Sequence, residues 1–129
     1  MPAASAIKVL VVDDQMTMRA LVRSALQQIG MTDVADAVDG ADGLKQLAQR
    51  PVELIISDYN MPNIDGLEFL KAVRGHERTK KSAFIMLTGR SDKELVQRAV
   101  QYGVNNYLAK PFTTAELKKK IEQVFGALS

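Results

Sequence analysis

Apolar residues along this chain fall into two patterns that alternate. Short, near-continuous apolar runs occupy residues 7–12, 34–38, 52–57, 83–88 and 106–109. The first, third and fourth are dense in Val, Ile or Leu, the composition of strands covered on both faces, whereas the second and fifth are weaker. Between the runs, apolar residues recur at helical spacing: Leu21, Val22, Ala25, Leu26 and Ile29; Leu44 and Leu47; Leu67, Leu70 and Val73; Leu95, Val96, Ala99 and Val100; Leu117, Ile121, Val124, Phe125 and Leu128. Gly30 predicts the end of the first helix. Ser91-Asp92-Lys93-Glu94 and Thr113-Thr114-Ala115-Glu116 each fit a capping box and predict helix starts. Asp39-Gly40 predicts a turn after the second strand. Strict strand–helix alternation implies an α/β fold with a parallel sheet and right-handed crossovers.

The 129 residues fit one domain, expected over 7–128, with 1–6 as a small, flexible lead-in. Apolar residues make up 47% and charged residues 25%, as in ordinary globular domains, so a core can form without staples. Cysteine is absent, which excludes disulfides and thiolate metal sites and is compatible with a reducing cytosol. A net charge of +2 is too small to argue for nucleic acid. No signal-peptide pattern and no bilayer-length apolar run is present, so the expectation is a cytoplasmic protein with no membrane partner.

In open parallel sheets, sites form beyond the carboxyl ends of the strands. The predicted strands end in Asp13-Asp14, Ser57-Asp58, Thr88-Gly89 and Lys110-Pro111. A parallel sheet would set Asp13, Asp14, Asp58, a hydroxyl and an ammonium around one pocket. Crowded carboxylates repel and bind protons more tightly, which a hard divalent cation relieves. Mg²⁺ suits such an oxygen set, while the dense ligand loop of an EF-hand is missing. Lys110 can neutralise a phosphoryl oxygen, Thr88 can donate to another, and a carboxylate beside the cation can accept a phosphoryl group. Read alone, Asp13 or Asp14 is as readily a cap or a solvated charge; their combination with Asp58, Thr88 and Lys110 favours the site.

With Val11-Val12-Asp13-Asp14, Asp58 followed by Met61-Pro62-Asn63-Ile64-Asp65-Gly66, then Thr88-Gly89, Tyr107 and Lys110-Pro111-Phe112, nearly the whole chain resembles the receiver domains of two-component response regulators. The resemblance implies a flavodoxin-like sheet of five parallel strands in order 2-1-3-4-5, the order of a known member of the family, flanked by five helices. It implies Asp58 as phosphoacceptor. It implies Mg²⁺ held by Asp14, Asp58 and the Asn60 backbone carbonyl, with Asp13 direct or through water. Thr88 and Lys110 would hold phosphoryl oxygens, Lys110-Pro111 would be cis, and Tyr107 would change rotamer as Thr88 moves.

Asp14-Gln15-Met16-Thr17-Met18-Arg19 and Gly103-Val104-Asn105-Asn106-Tyr107 resemble the chemotaxis, CheY-like branch. With no output domain expected after Leu128, the resemblance implies action by binding. The implied partners are a histidine kinase as phosphodonor, a flagellar motor switch protein as target and a phosphatase; a phosphate sink or adaptor outside motility is the alternative. The readout face would be the fourth helix, fifth strand and fifth helix, with Arg90, Lys93, Asn106, Tyr107 and Lys118 as candidates. Arg90 and Asn60 would also flank the path of an attacking water.

Other residues have plainer readings. Asp65 reads as a turn residue before Gly66, and Tyr107 alone is equally an aromatic packed at a sheet edge. Lys118-Lys119-Lys120 reads as a solvated helix face, with an acidic partner as the minor alternative. His76 reads as exposed loop, and the methionines as filler. A small phosphohydrolase with an aspartyl nucleophile is the rival class. Haloacid-dehalogenase-like phosphatases place a second Asp two residues after the nucleophile; Asn60 stands there and cannot pass a proton. The expectation is a signalling domain and not an enzyme with turnover.

Overall fold

The computed structural model describes residues 2–89 and 93–129. Five strands, β1 (Val9–Val12), β2 (Val34–Ala37), β3 (Leu54–Asp58), β4 (Ala83–Thr88) and β5 (Asn106–Ala109), alternate with α1 (Met16–Ile29), α2 (Gly40–Gln49), α3 (Gly66–Gly75), α4 (Lys93–Gln101) and α5 (Thr114–Phe125). All strand pairs are parallel, in the order β2-β1-β3-β4-β5, as the resemblance implied.

Strand alternation splits the core into two layers. Val9, Val11, Ile56, Ile85 and Leu87 face α1 and α5 and pack on Val22, Leu26, Leu117 and Ile121. Leu10, Val12, Ile55, Phe84 and Met86 face the other way and pack on Leu47, Leu67, Phe69, Leu70, Val73 and Ala99. This explains the apolar density of β1, β3 and β4: every residue in them is buried. The edge strands have one open side, so β2 carries Asp36 and β5 alternates in burial.

Helix ends follow local chemistry. Gly30 is left-handed (φ 100°); its N–H and that of Met31 close back on the Gln27 and Leu26 carbonyls. Leu26 and Met31 are both fully buried in one cluster, which completes a Schellman motif. The Thr113–Glu116 capping box forms as predicted. The Ser91–Glu94 box, Arg90 and Met1 lie outside the described residues.

Several expectations change. Asp39-Gly40 is a helix start and not a free-standing turn: the Asp39 carboxylate accepts the Asp42 N–H at 2.8 Å and caps α2. Leu21 and Val100 are each 60% exposed and leave their predicted stripes, because α1 and α4 bury narrower faces. Leu128 lies beyond the end of α5 at Phe125. Ala4–Ala6 form a 3₁₀ turn, Ala4 is buried, and its N–H donates to the Ser129 carbonyl while the Ser129 N–H donates to Pro2.

Candidate functional site

The carboxyl ends of β1, β3, β4 and β5 bring the predicted residues together. Asp58 is the last residue of β3, paired in register with Leu87 of β4; Thr88 follows and pairs with Ala109 of β5. The Lys110 N–H donates to the Thr88 carbonyl at 2.7 Å, which ties the end of β5 to that of β4. The Lys110-Pro111 peptide is cis, as expected from the resemblance. Asp13, Asp58 and Thr88 are at most 4% exposed, whereas Asp14 is open to solvent.

One carboxylate oxygen from each of Asp13, Asp14 and Asp58 lies within 4.8 Å of the others. Lys110 Nζ stands 2.8 Å from Asp58 Oδ1. That contact pairs the charges but lacks hydrogen-bonding alignment, so Asp58 Oδ1 still has no directed donor. Asp13 Oδ2 also has none among the described residues, while Asp13 Oδ1 accepts the Gln15 N–H at 2.9 Å. Burial pushes the Asp13 carboxyl above the ordinary carboxylate range. The Gln15 N–H and Lys110 pull it back; repulsion from Asp58 and Asp14 adds to the rise.

The donor set therefore fits a divalent cation on two counts. Among the described residues, Asp13 Oδ2 has no donor and Asp58 Oδ1 has only the poorly aligned Lys110 ammonium, and repulsion among three acids would fall if a cation neutralised them. An all-oxygen set with an open, solvent-facing Asp14 matches Mg²⁺, which keeps several waters. Asn60 is exposed on the loop after β3.

Gly66 sets the path of that loop. A Cβ there would stand 2.7 Å from the Asp58 carbonyl oxygen, 2.8 Å from the Tyr59 Cα and 2.6 Å from Met86 Sδ. The Gly66 N–H donates to the Tyr59 carbonyl at 2.8 Å, closing the loop, and Asn63 at its apex is left-handed (φ 69°), which Asn tolerates. Asp65 caps α3 in a reciprocal box with Glu68 and is not merely a turn residue. The spacing Asp-x-x-Glu before an apolar run carried that signal. Arg19 had no such signal: its Nη1 donates to the Asp13 carbonyl at 2.7 Å and its Nε pairs with Asp36 at 3.2 Å.

Tyr107 lies on β5, 37% exposed, with Lys120 Nζ 5.1 Å from its ring centroid. Asn106 anchors β5 to α5 by donating to the Lys120 carbonyl and the Gln123 side chain. Lys93, Lys118 and Lys119 are exposed, and His76 is an exposed C-cap of α3. No helix among the described residues is long and apolar enough to cross a membrane.

Known proteins share both sequence and fold. Residues 9–122 match the family described as response regulator receiver domain. A relative from Rhizobium etli, named "Probable chemotaxis protein CheY", is 54% identical over 99% of each chain. The solved structure of Vibrio cholerae chemotaxis protein CheY4 superposes with a TM-score of 0.85 at 36% identity, covering 96% of this chain and 99% of that one. The receiver domain of a sensor histidine kinase from Pseudomonas aeruginosa, solved with a magnesium ion coordinated in its active site cleft, gives a TM-score of 0.83 at 26% identity over 94% and 98% of the two chains.

Proposed function

The chain belongs to the response regulator receiver family, and from that premise we propose that Asp58 accepts a phosphoryl group from a histidine kinase and that the acquired charge switches the α4-β5-α5 face. The observation that carries this reading is the Asp58 carboxylate itself. It is buried at the end of β3, 2.8 Å from Lys110 Nζ and inside a cluster of acids with orphaned oxygens.

In the transfer, an Asp58 carboxylate oxygen forms a bond to phosphorus as the donor's P–N bond breaks, and the departing imidazole nitrogen takes up a proton. Asp13, Asp14, Asp58 and the Asn60 carbonyl would hold Mg²⁺, a reading supported by the magnesium-bound relative. When bound, the cation supplies charge neutralisation for the acids and for the phosphoryl oxygens. Lys110 turns from the carboxylate to a phosphoryl oxygen, and the Thr88 hydroxyl donates to another. The acyl phosphate carries roughly two negative charges where the carboxylate carried one.

Shifting a two-state population from 1:99 to 99:1 takes about 5.5 kcal/mol. A few charge-assisted hydrogen bonds, at roughly 1.5–3 kcal/mol each, are of that size. Movement of Thr88 toward the phosphoryl group draws Tyr107 inward and reshapes the surface that also carries Lys93, Asn106 and Lys118. The chemotaxis names of its relatives favour a flagellar motor switch protein as reader.

Acetyl phosphate with Mg²⁺ should add one phosphoryl mass to the wild type and none to Asp58→Asn. A Mg²⁺-dependent phosphoprotein in Asp58→Asn would sink the assignment. The phosphorylated form should bind a motor-switch peptide more tightly than Asp58→Asn does. Equal binding would move the function to a phosphate sink or an adaptor.

A further inference from the structure

Asp13 is held at each of its polar atoms but one. Its N–H donates to the Ala37 carbonyl of β2 at 3.2 Å, its Oδ1 accepts the Gln15 N–H, and its carbonyl oxygen accepts Arg19 Nη1 at 2.7 Å. Only Oδ2 is left over, buried and without a donor among the described residues. Fixing the carbonyl fixes the peptide that leads into Asp14, so one guanidinium orients both acids of the β1–α1 turn.

Arg19 is itself immobilised. Its side chain is 13% exposed and its Nε pairs with Asp36, which also receives Arg23 at 3.0 Å. The Asp36 carbonyl is in turn taken by the Gln46 side chain at 2.9 Å. A chain of contacts thus runs from the edge strand to the acid cluster, with Arg19 as the link that touches the cluster. Arg23 belongs to the same ion-pair group but pairs with Asp36 and not, among the described contacts, with Asp13, which makes it an internal control.

We infer that Arg19 is a positioning residue for cation binding: by holding the Asp13 carbonyl it presents the orphaned Asp13 oxygen and Asp14 to the metal. The inference rests on the Mg²⁺ reading above. Its sign separates it from plain electrostatics. Removing a positive charge near three acids should tighten a cation by attraction alone. Removing the group that orients them should loosen it, and partners of metal ligands typically contribute about 10–100-fold in affinity.

The test is Mg²⁺ titration calorimetry on the unphosphorylated protein, comparing wild type, Arg19→Gln, Arg19→Lys and Arg23→Gln. Arg19→Gln should weaken binding about tenfold. Arg19→Lys, which keeps one donor, should recover part of that loss, and Arg23→Gln should stay within twofold of wild type. In acetyl phosphate reactions the Mg²⁺ concentration for half-maximal rate should rise by the same factor in Arg19→Gln, while the rate at saturating Mg²⁺ is kept. That retained rate also shows the variant is folded. Without metal, exchange of the Gln15 amide hydrogen should quicken in Arg19→Gln. Unchanged or tighter binding in Arg19→Gln overturns the inference, as does equal weakening in Arg23→Gln. A wild type that binds no Mg²⁺ overturns the reading beneath it.

Discussion

At the end of the sheet away from the acid cluster, Arg74 reaches from the last turn of α3 to the carbonyls of Lys80, Ser82 and Gly103 and to the Asn105 side chain. The same Asn105 oxygen also accepts the Phe84 N–H, and the Ser82 hydroxyl donates to the Val52 carbonyl. At the cluster end, Asp13 Oδ2 and Asp58 Oδ1 lack aligned donors among the described residues although both residues are buried. One end has its polar groups matched by the chain; the other leaves demand that a cation or a phosphoryl group can meet. Buried polar groups left unmet cost stability, so their presence at one end marks where the fold gives up stability for binding.

The largest effect should come from breaking the matched end. Arg74→Ala takes a donor from three carbonyls at once and leaves the Asn105 oxygen with the Phe84 N–H alone, although several of these groups are partly solvated and water replaces some bonds. The expected loss is about 2 kcal/mol in chemical denaturation. Mg²⁺ affinity should be unchanged at temperatures where the variant is folded. A changed Mg²⁺ affinity would show that the two ends are coupled.

The cluster end should respond in the opposite direction. Asp13→Asn keeps an acceptor for the Gln15 N–H and turns the orphaned position into a donor within the acid cluster. Stability without metal should rise by on the order of 1 kcal/mol, and Mg²⁺ affinity should fall. A less stable Asp13→Asn protein would mean that the apparent demand at this end is already met.

The pH dependence follows from the raised Asp13 pKa. The folded state holds this proton more tightly than the unfolded chain, so ionising Asp13 works against folding. Wild type should therefore lose stability relative to Asp13→Asn as pH rises from the ordinary carboxylate range through the raised value. Below that window the two should converge. Saturating Mg²⁺ should remove the difference or reverse its sign at neutral pH. Parallel stability curves across this window would refute the assigned direction.

The sequence made the cluster legible because its residues sit at strand ends, and strand ends can be read from where the apolar runs of β1, β3 and β4 stop. The same runs exposed the alternation that dictates a parallel sheet. Side-chain reach was not legible. Arg19 looks like any polar residue on α1 until β2 places Asp36 beside it. Nor did Asp39-Gly40 reveal whether its carboxylate would close a turn or cap a helix, since both use the same bond to a nearby N–H. Leu21 and Val100 satisfied the helical spacing yet stayed exposed, because spacing gives a face and not the width of the surface that covers it.

Tyr107 lies between the two regimes, and the smallest effect is expected there. Its ring is partly exposed, with Lys120 Nζ 5.1 Å from the centroid, while the Asn106 side chain bonds the Lys120 backbone carbonyl. Lys120→Ala removes the ammonium and leaves that backbone anchor in place. The cost in stability should be about 0.5 kcal/mol, as for an exposed cation–π contact. Phosphorylation of Asp58 should proceed at the wild-type rate, because Lys120 is not among the groups that contact the carboxylate. If Lys120 helps hold the ring outward, a fluorine label on Tyr107 should report a more buried average environment in Lys120→Ala before phosphorylation. A label that does not shift would place the ring's preference in β5 itself, and the outward position would then be as fixed as the Arg74 end.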